Sequence, residues 1–277
     1  MNVTFTFDLE DHRPNDNYSK NYPQITHDVL TYLDENQVKG TFFVVGDVAK
    51  EDPTLITDIS DAGHEIAFHS MSHVTLNLEN RKNFSDELHL GKILLEDLTG
   101  KAVCGFRAPV FSLTKQTSWA LDILLEEGFT YSSSILPAKN ILHGYPGAPA
   151  YPYYWKNGLL ELPASVTNFC GLTFPFLGGV YLRYLPKYMF SYFLNNCSDN
   201  KCMWTYCHPY DFDVTEPFFR MKGTSWIVSS VLWFNRKRTK IMLDHLFNIM
   251  KDRQTDYVPF IEQITRGDFS SAPYFNQ

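Results

Sequence analysis

The 277-residue chain lacks most of what would mark a spanning, secreted or nucleic-acid-binding protein. No run of about 18 apolar residues occurs, so no segment can cross a bilayer as a helix. The N-terminus, Met1-Asn2-Val3-Thr4-Phe5, has no basic segment followed by an apolar stretch, so no secretory leader is legible. Cysteine is scarce: there are five, and Cys197, Cys202 and Cys207 stand five apart, which matches no zinc-finger spacing. Reduced, mostly buried thiols in a cytoplasmic protein are expected. Basic residues are outnumbered 24 to 31 and form no stripe, which argues against a nucleic-acid partner. The densest basic group, Arg236-Lys237-Arg238 with Lys240, reads as the solvated beginning of a helix. There is no repeat, low-complexity tract or Ser/Gly linker, so residues 1–277 are expected to form a single domain.

What is present is globular. Hydrophobic residues make up 44% and charged residues 20%, which is ordinary for a folded chain. The most apolar stretch, Ser225 to Phe234, is too short to span a membrane. Burial in the core is its expected fate, with peripheral membrane contact as the alternative. The oligomeric state is not legible.

Short β-rich runs alternate with longer helical patterns. Strands are expected at Val3–Phe7, Thr41–Val45, Glu65–Phe68, Cys104–Phe106, Leu159–Leu162, Met203–Cys207 and Tyr257–Phe260. Between them, Ile25, Val29, Leu30 and Leu33 share a helical face, and Pro53 opens a helix carrying Leu55, Ile56 and Ile59. Phe84, Leu88, Leu95 and Leu98 mark another helix, Trp119–Leu125 a further one, and Arg238 to Met250 the last. About seven such units in one domain imply an α/β fold with a mostly parallel sheet, closed or distorted into a (β/α)7-type barrel. The stretch 139–186, irregular and rich in Pro, Gly and Tyr, reads as an insertion over the barrel mouth. Barrels carry their chemistry at the carboxyl ends of strands.

The reactive residues do follow the strands. Asp8, Glu10 and Asp11 follow the first; strand periodicity puts Asp8 and Glu10 on one face, while Asp11 begins the loop. Two carboxylates held together can divide labour, one ligating a metal and the other taking a proton. In His69-Ser70-Met71-Ser72-His73, two imidazoles at i and i+4 can face one metal from a single helical turn. One carboxylate with two His and an open position is a hydrolytic metal site. Arg107, at the next strand end, can hold a carboxylate through a bidentate pair. Trp204, Tyr206 and His208 share a strand face, and His208, at its end, could protonate a leaving group.

This ordered set resembles the polysaccharide deacetylase (NodB-homology) domain of carbohydrate esterase family four. The matching motifs are Thr6-Phe7-Asp8 with Glu10 and Asp11, His69-Ser70-x-x-His73, Arg107-Ala108-Pro109, Tyr131-Ser132-Ser133-Ser134 and Tyr206-Cys207-His208. Asp-x-Glu-Asp in the first motif, Gly178-Gly179-Val180-Tyr181-Leu182-Arg183, and the His208 to Asp213 ending are similar to a bacterial subgroup tied to exopolysaccharide, capsule or O-antigen synthesis. Three departures stand out. The acidic ligand is Glu10 or Asp11; Val110 replaces an aromatic residue; Ser132 stands where an Asp is common, leaving Asp211 or Asp213 to orient His208.

The resemblance implies a NodB-like barrel and metal-dependent removal of an acetyl group from an N-acetylated sugar of a polysaccharide or its precursor. His69, His73 and Glu10 or Asp11 would hold a divalent metal, with Zn²⁺ the expected ion. Asp8 would be the base, Arg107 its support and His208 the acid. A backbone N–H after Arg107 would stabilise the oxyanion. Tyr151, Tyr153, Tyr154 and Trp155 could stack on sugar rings. A metal-independent, allantoinase-like amidohydrolase and a non-catalytic carbohydrate-binding protein are the alternatives; retention of the acid and both His counts against the former.

Overall fold

The computed structural model describes residues 2–139, 143–196, 202–221 and 224–275. Its main sheet has nine strands: β1 (Asn2–Leu9), β2 (Gly40–Val44), β3 (Glu65–Phe68), β4 (Gly105–Phe106), β5 (Tyr131–Ser132), β6 (Tyr153–Trp155), β7 (Leu160–Glu161), β10 (Cys202–Cys207) and β11 (Tyr274–Phe275). A separate hairpin pairs β8 (Val166–Phe169) with β9 (Leu172–Pro175). The strand order is β10-β1-β2-β3-β4-β5-β7-β6-β11. Neighbours run parallel except β6 and β7. The sheet is curled into a half-barrel, so the expected distorted barrel is the observed architecture.

Alternation along the strands creates two apolar layers. Val3, Phe5, Phe7 and Leu9 of β1 join Phe42 and Val44 of β2, and Ile66 and Phe68 of β3, in a core under the helices. The intervening positions face the hollow of the sheet, where Phe43, Ala67, Tyr131, Leu162 and Trp204 form a second cluster. A strand buried on both sides must be apolar on both, except where polar groups have partners. In β1 those exceptions are Thr4, Thr6 and Asp8. The Thr4 hydroxyl donates to the Val258 carbonyl at 2.9 Å, and that of Thr6 to the Thr205 carbonyl at 2.5 Å.

The helices close the outer layer. Val29 and Leu33 are fully buried on the helix Tyr22–Glu35, as are Leu88 and Leu95 on Arg81–Thr99. The Asp52 carboxylate caps Pro53–Asp61 by accepting from Leu55 N–H at 3.1 Å. Gly100 ends the helix before it at φ +64, a conformation open to glycine at little cost.

Several expectations need correction. Tyr257–Phe260 is not a strand: Tyr257 makes one parallel bridge to Val3, and Phe260 opens the helix Phe260–Thr265. The stretch 139–186 is not merely laid over the mouth, since β6 and β7 within it extend the main sheet and only β8–β9 stands apart. Tyr153 and Trp155 are buried in β6, packed edge to face at 5.2 Å, so that aromatic cluster is largely core. Cys202 and Cys207 are buried, Cys104 is half-buried and Cys170 exposed; all four are free thiols, and Cys197 lies outside the described residues. Arg236 is no solvated charge. It is buried, and its Nη1 lies 2.5 Å from Glu216 Oε2. The apolar stretch after Ser225 forms the helix Trp226–Trp233, with Ser229 its one buried residue.

Candidate active site

β1 delivers two carboxylates to the carboxyl end of the sheet. Asp8 is buried and accepts from Arg107 Nη1 at 2.5 Å. Arg107 leaves β4 fully inside the protein, its guanidinium 3.9 Å from the Phe43 ring and 4.2 Å from that of Trp204. The pair is single-pointed and not the bidentate fork expected. Nη1 is shared with Thr6 Oγ at 2.8 Å, Nε donates to the Ser133 carbonyl at 3.1 Å, and Nη2 to Ser133 Oγ at 3.0 Å. The serine run after β5 therefore holds the arginine. Its Ser134 Oγ also accepts the Ala108 N–H at 2.9 Å. Glu161, buried on β7, fixes that run by accepting from the N–H groups of Ser134 and Ile135 at 2.8 and 3.1 Å. With its guanidinium hydrogen-bonded on several sides, Arg107 has little freedom, which is what a supporting cation requires.

Glu10 lies just past the end of β1. Its Oε2 is 2.7 Å from His73 Nε2, and one ligand atom from each of Glu10, His69 and His73 lies within 4.8 Å of the others. Asp11 is not in this group. It turns outward to Arg13, whose Nε sits 3.0 Å from both carboxylate oxygens and whose Nη2 is 2.7 Å from Oδ2. Of the two candidate acids, only Glu10 faces the imidazoles.

The two His do not share a helical turn. Residues 69–73 form a loop, because the carbonyls of Ser70 and Met71 accept the N–H groups of Gly46 and Asp47 at 3.0 and 2.8 Å and cannot serve a helix. Ser70 (φ 63) and His73 (φ 54) are left-handed instead, and the rings end 5.0 Å apart. Val110 (φ 55) and Phe111 (φ 52) repeat this conformation after Arg107. Each such residue costs about 1–2 kcal/mol and persists only where packing enforces it.

His69 Nδ1 lies 2.7 Å from the Arg107 carbonyl, which can only accept, so the proton sits on Nδ1 and the Nε2 lone pair faces the site. Burial pushes His69 down to about 4, outweighing the nearby Asp8 charge. Burial acts on Glu10 in the raising direction, but the charge and hydrogen bond of His73 outweigh it and hold the carboxyl well below its usual range. A carboxylate and two imidazoles, one locked as a neutral donor, form a donor set that fits a divalent cation such as Zn²⁺.

His208 enters from the end of β10. Its Nδ1 is 3.0 Å from Asp211 Oδ2, and its Nε2 is 3.8 Å from Asp8 Oδ2. The Tyr210 ring stacks on it at 4.6 Å. Burial opposes its charge, yet the hydrogen bond and charge of Asp211, aided by Glu10 and Asp8, push it up to about 9. Asp213, the other candidate partner, instead accepts from the N–H groups of Thr215 and Glu216, both at 2.9 Å, and from Asn21 at 2.7 Å.

Sequence reasoning offered Asp211 or Asp213 to orient His208, but it gave no role to Arg183 or to the Gly178-Gly179 pair. Asp211 Oδ1 pairs with buried Arg183 at 3.0 Å. A Cβ on Gly179 would stand 2.2 Å from the Asp211 carboxylate, and one on Gly178 would stand 2.2 Å from the Tyr206 ring. The Gly178-Gly179 pair thus lets the Arg183 segment approach β10, and the Gly-Gly-x-Tyr-x-Arg spacing was the signal available for it.

A donor set that fits a cation beside a buried carboxylate and imidazole, at the carboxyl ends of parallel strands, is an arrangement suited to hydrolysis of amides and esters. Comparison with known proteins agrees with that class. Residues 2–131 match the family model for polysaccharide deacetylases, and residues 133–258 match a domain of unknown function, DUF3473. The first segment is therefore similar to the polysaccharide deacetylase family. The peptidoglycan-N-acetylmuramic acid deacetylase PdaA of Bacillus subtilis is 40% identical over 76 residues, which is 27% of this chain. The aligned stretch spans only 29% of that relative. Among solved structures, a candidate polysaccharide deacetylase from Mycobacterium smegmatis superimposes with a TM-score of 0.67 at 22% identity, over 99% of this chain and 93% of its own. PuuE allantoinase superimposes with a TM-score of 0.63 at 16% identity, covering 99% and 91%. At these identities the likeness is one of fold.

Proposed function

We propose that the protein is a metal-dependent deacetylase that hydrolyses the acetamide of an N-acetylated sugar, in a polysaccharide or its precursor. The observation that supports this most directly is the position of Asp8. Its carboxylate meets Arg107 on one oxygen, while the other lies within 4 Å of both His69 and His208. The match of residues 2–131 to the deacetylase model and the named activity of the Bacillus relative support the substrate class.

Glu10, His69 and His73 would hold the cation through one carboxylate oxygen and two Nε2 atoms. When bound, it would polarise the acetyl carbonyl and bring the pKa of water from 15.7 toward about 7. Asp8 Oδ2 takes the proton from the attacking water as the new C–O bond forms. His208 Nε2 then gives a proton to the departing nitrogen as the C–N bond breaks, leaving acetate and a free amine. An amine leaves poorly unless protonated, and Asp211 keeps that proton on His208. The oxyanion needs a donor as well. Ala108 N–H is already bonded to Ser134 and Pro109 has none, so Val110 N–H takes this part.

Surface-glycan synthesis, as in O-antigen or exopolysaccharide assembly, is the biological setting that suits a cytoplasmic enzyme acting on a precursor. Fractionation that placed the protein outside the cytoplasm would remove this setting.

The test of the activity is acetate release, matched by new free amine, from N-acetylglucosamine oligomers, with bound metal measured alongside. Allantoin serves as the competing substrate, and its turnover without metal would replace the reading. His208→Ala should damage amide cleavage far more than cleavage of an activated aryl ester, because a phenolate leaves without a proton. Equal slowing of both would remove His208 from the acid role.

A further inference from the structure

The helix Trp226–Trp233 is built in reverse. It turns Ser229 inward, where Oγ accepts from Met221 N–H at 3.0 Å and meets Thr224 Oγ at 2.6 Å. Further polar ties hold its carboxyl end. The Leu232 carbonyl accepts from Arg183 Nη1 at 2.9 Å, the Val231 carbonyl from Tyr184 at 2.8 Å, and Trp233 Nε1 donates to the Glu216 carbonyl at 3.1 Å. The apolar side chains face solvent instead: Trp226 is 61% exposed, Ile227 77% and Phe234 61%. Phe218 joins them, its ring 5.7 Å from Trp226 and 5.6 Å from Trp233. A surface helix normally hides its apolar stripe, and a contiguous exposed patch of this kind marks an interaction site.

The charge around the patch identifies the partner. The chain carries a net −7, yet residues 214–241 contain six basic residues and one acid. That acid, Glu216, is buried and neutralised by Arg236. Arg220 before the helix and Lys237 after it are exposed. Tryptophan and branched aliphatic side chains flanked by Lys and Arg are the composition of an interfacial segment that lies in the headgroup region of an anionic bilayer.

We propose that the helix Trp226–Trp233, with Phe218 and Phe234, is a membrane-surface anchor that inserts its apolar face among lipids while Arg220 and Lys237 engage anionic headgroups. The proposal stands independently of the reaction at the active site.

The experiment is co-sedimentation of the full chain with vesicles of phosphatidylglycerol and phosphatidylcholine, or of phosphatidylcholine alone, with the oligomeric state followed by light scattering. Binding should favour the anionic vesicles and weaken with salt. The double variant Ile227→Ser, Val231→Ser should lower partitioning about tenfold or more on either vesicle. Arg220→Gln with Lys237→Gln should lower it about tenfold on anionic vesicles only. All four positions are exposed, so unchanged thermal unfolding verifies the fold of each variant. Absence of vesicle binding, binding indifferent to both double variants, or a dimer dissolved by Ile227→Ser, Val231→Ser without lipid binding would each overturn the proposal.

Discussion

Residues 2–131 and 133–258, the two segments that match separate family models, build their shares of the active site differently. In the first, most reactive groups stand at or just past a strand end: Asp8 near the end of β1 and Glu10 just past it, His69 after β3, Arg107 after β4. Backbone pairing aims the side chain directly. In the second, His208 also follows a strand, but its aim depends on Asp211, on Arg183 behind that, and on a Gly-Gly approach that makes room for both. The first segment places most of its groups through the sheet, with Arg107 held further by Ser133, whereas the second relies on the side chains behind His208. Variants in each segment test this contrast.

The largest effect belongs to the first segment. Asp8→Asn preserves shape and should leave metal content and thermal unfolding nearly intact, while turnover falls about 10² to 10⁴-fold. Loss of metal along with activity would instead make Asp8 a ligand.

Next comes a contrast between neighbours. Glu10→Ala should weaken metal affinity at least about 10- to 100-fold, the range seen even for residues that only support ligands. Asp11→Ala should leave it unchanged, because Asp11 is occupied by Arg13. Equal loss in both, by equilibrium dialysis, would reject the geometry described.

Asp211→Asn probes the second segment. With the carboxylate gone, His208 should titrate below about 9, toward its ordinary 6.5. Turnover at pH 8 should fall about tenfold, and the alkaline limb of the pH profile should move down. The sign for stability follows from linkage. A His whose folded pKa is raised contributes fully below pH 6.5, and its contribution fades as pH rises through about 9. In metal-free protein, Asp211→Asn should therefore lose more stability at pH 6 than at pH 9.5. An unmoved alkaline limb would reduce Asp211 to a packing role.

The smallest effect concerns backbone strain. Val110→Gly relieves a left-handed valine and should raise stability by about 1 kcal/mol in denaturant titration, less the entropy that glycine adds to the unfolded chain.

The same contrast explains what could be read from the sequence. The curled parallel sheet and the reactive residues at its strand ends follow from period-two patterning and from polar residues that break it, as Thr6 and Asp8 do in β1. The choice of Glu10 over Asp11 was only half legible: strand periodicity put Glu10 on the face of Asp8, but the removal of Asp11 depends on Arg13 folding back to take it. The His69–His73 spacing suggested a helical turn, yet the loop forms because Gly46 and Asp47 claim its carbonyls. The work of Ser133 on Arg107 and of Ser134 on Ala108 was hidden, since each acts from 26 residues away in sequence. The Ser225–Phe234 stretch looked like core by composition alone. Its outward orientation comes from the polar ties of Ser229 and from the backbone bonds to Arg183 and Tyr184, none of which is local in sequence except Thr224 and Met221.

The position of β1 between β2 and β10 also carries a kinetic consequence. Phe7 pairs with Phe42 on one side and with Cys207 on the other. The first pairing closes a short loop, the second a loop of some 200 residues, and longer closures cost more chain entropy before their contacts repay it. The groups from β1 and β3 can therefore assemble while β10 is still searching for its edge. A chain at that stage would hold the Glu10–His69–His73 donor set without His208, so on the proposed mechanism cation binding would come before amine expulsion, and the docking of β10 would add the acid.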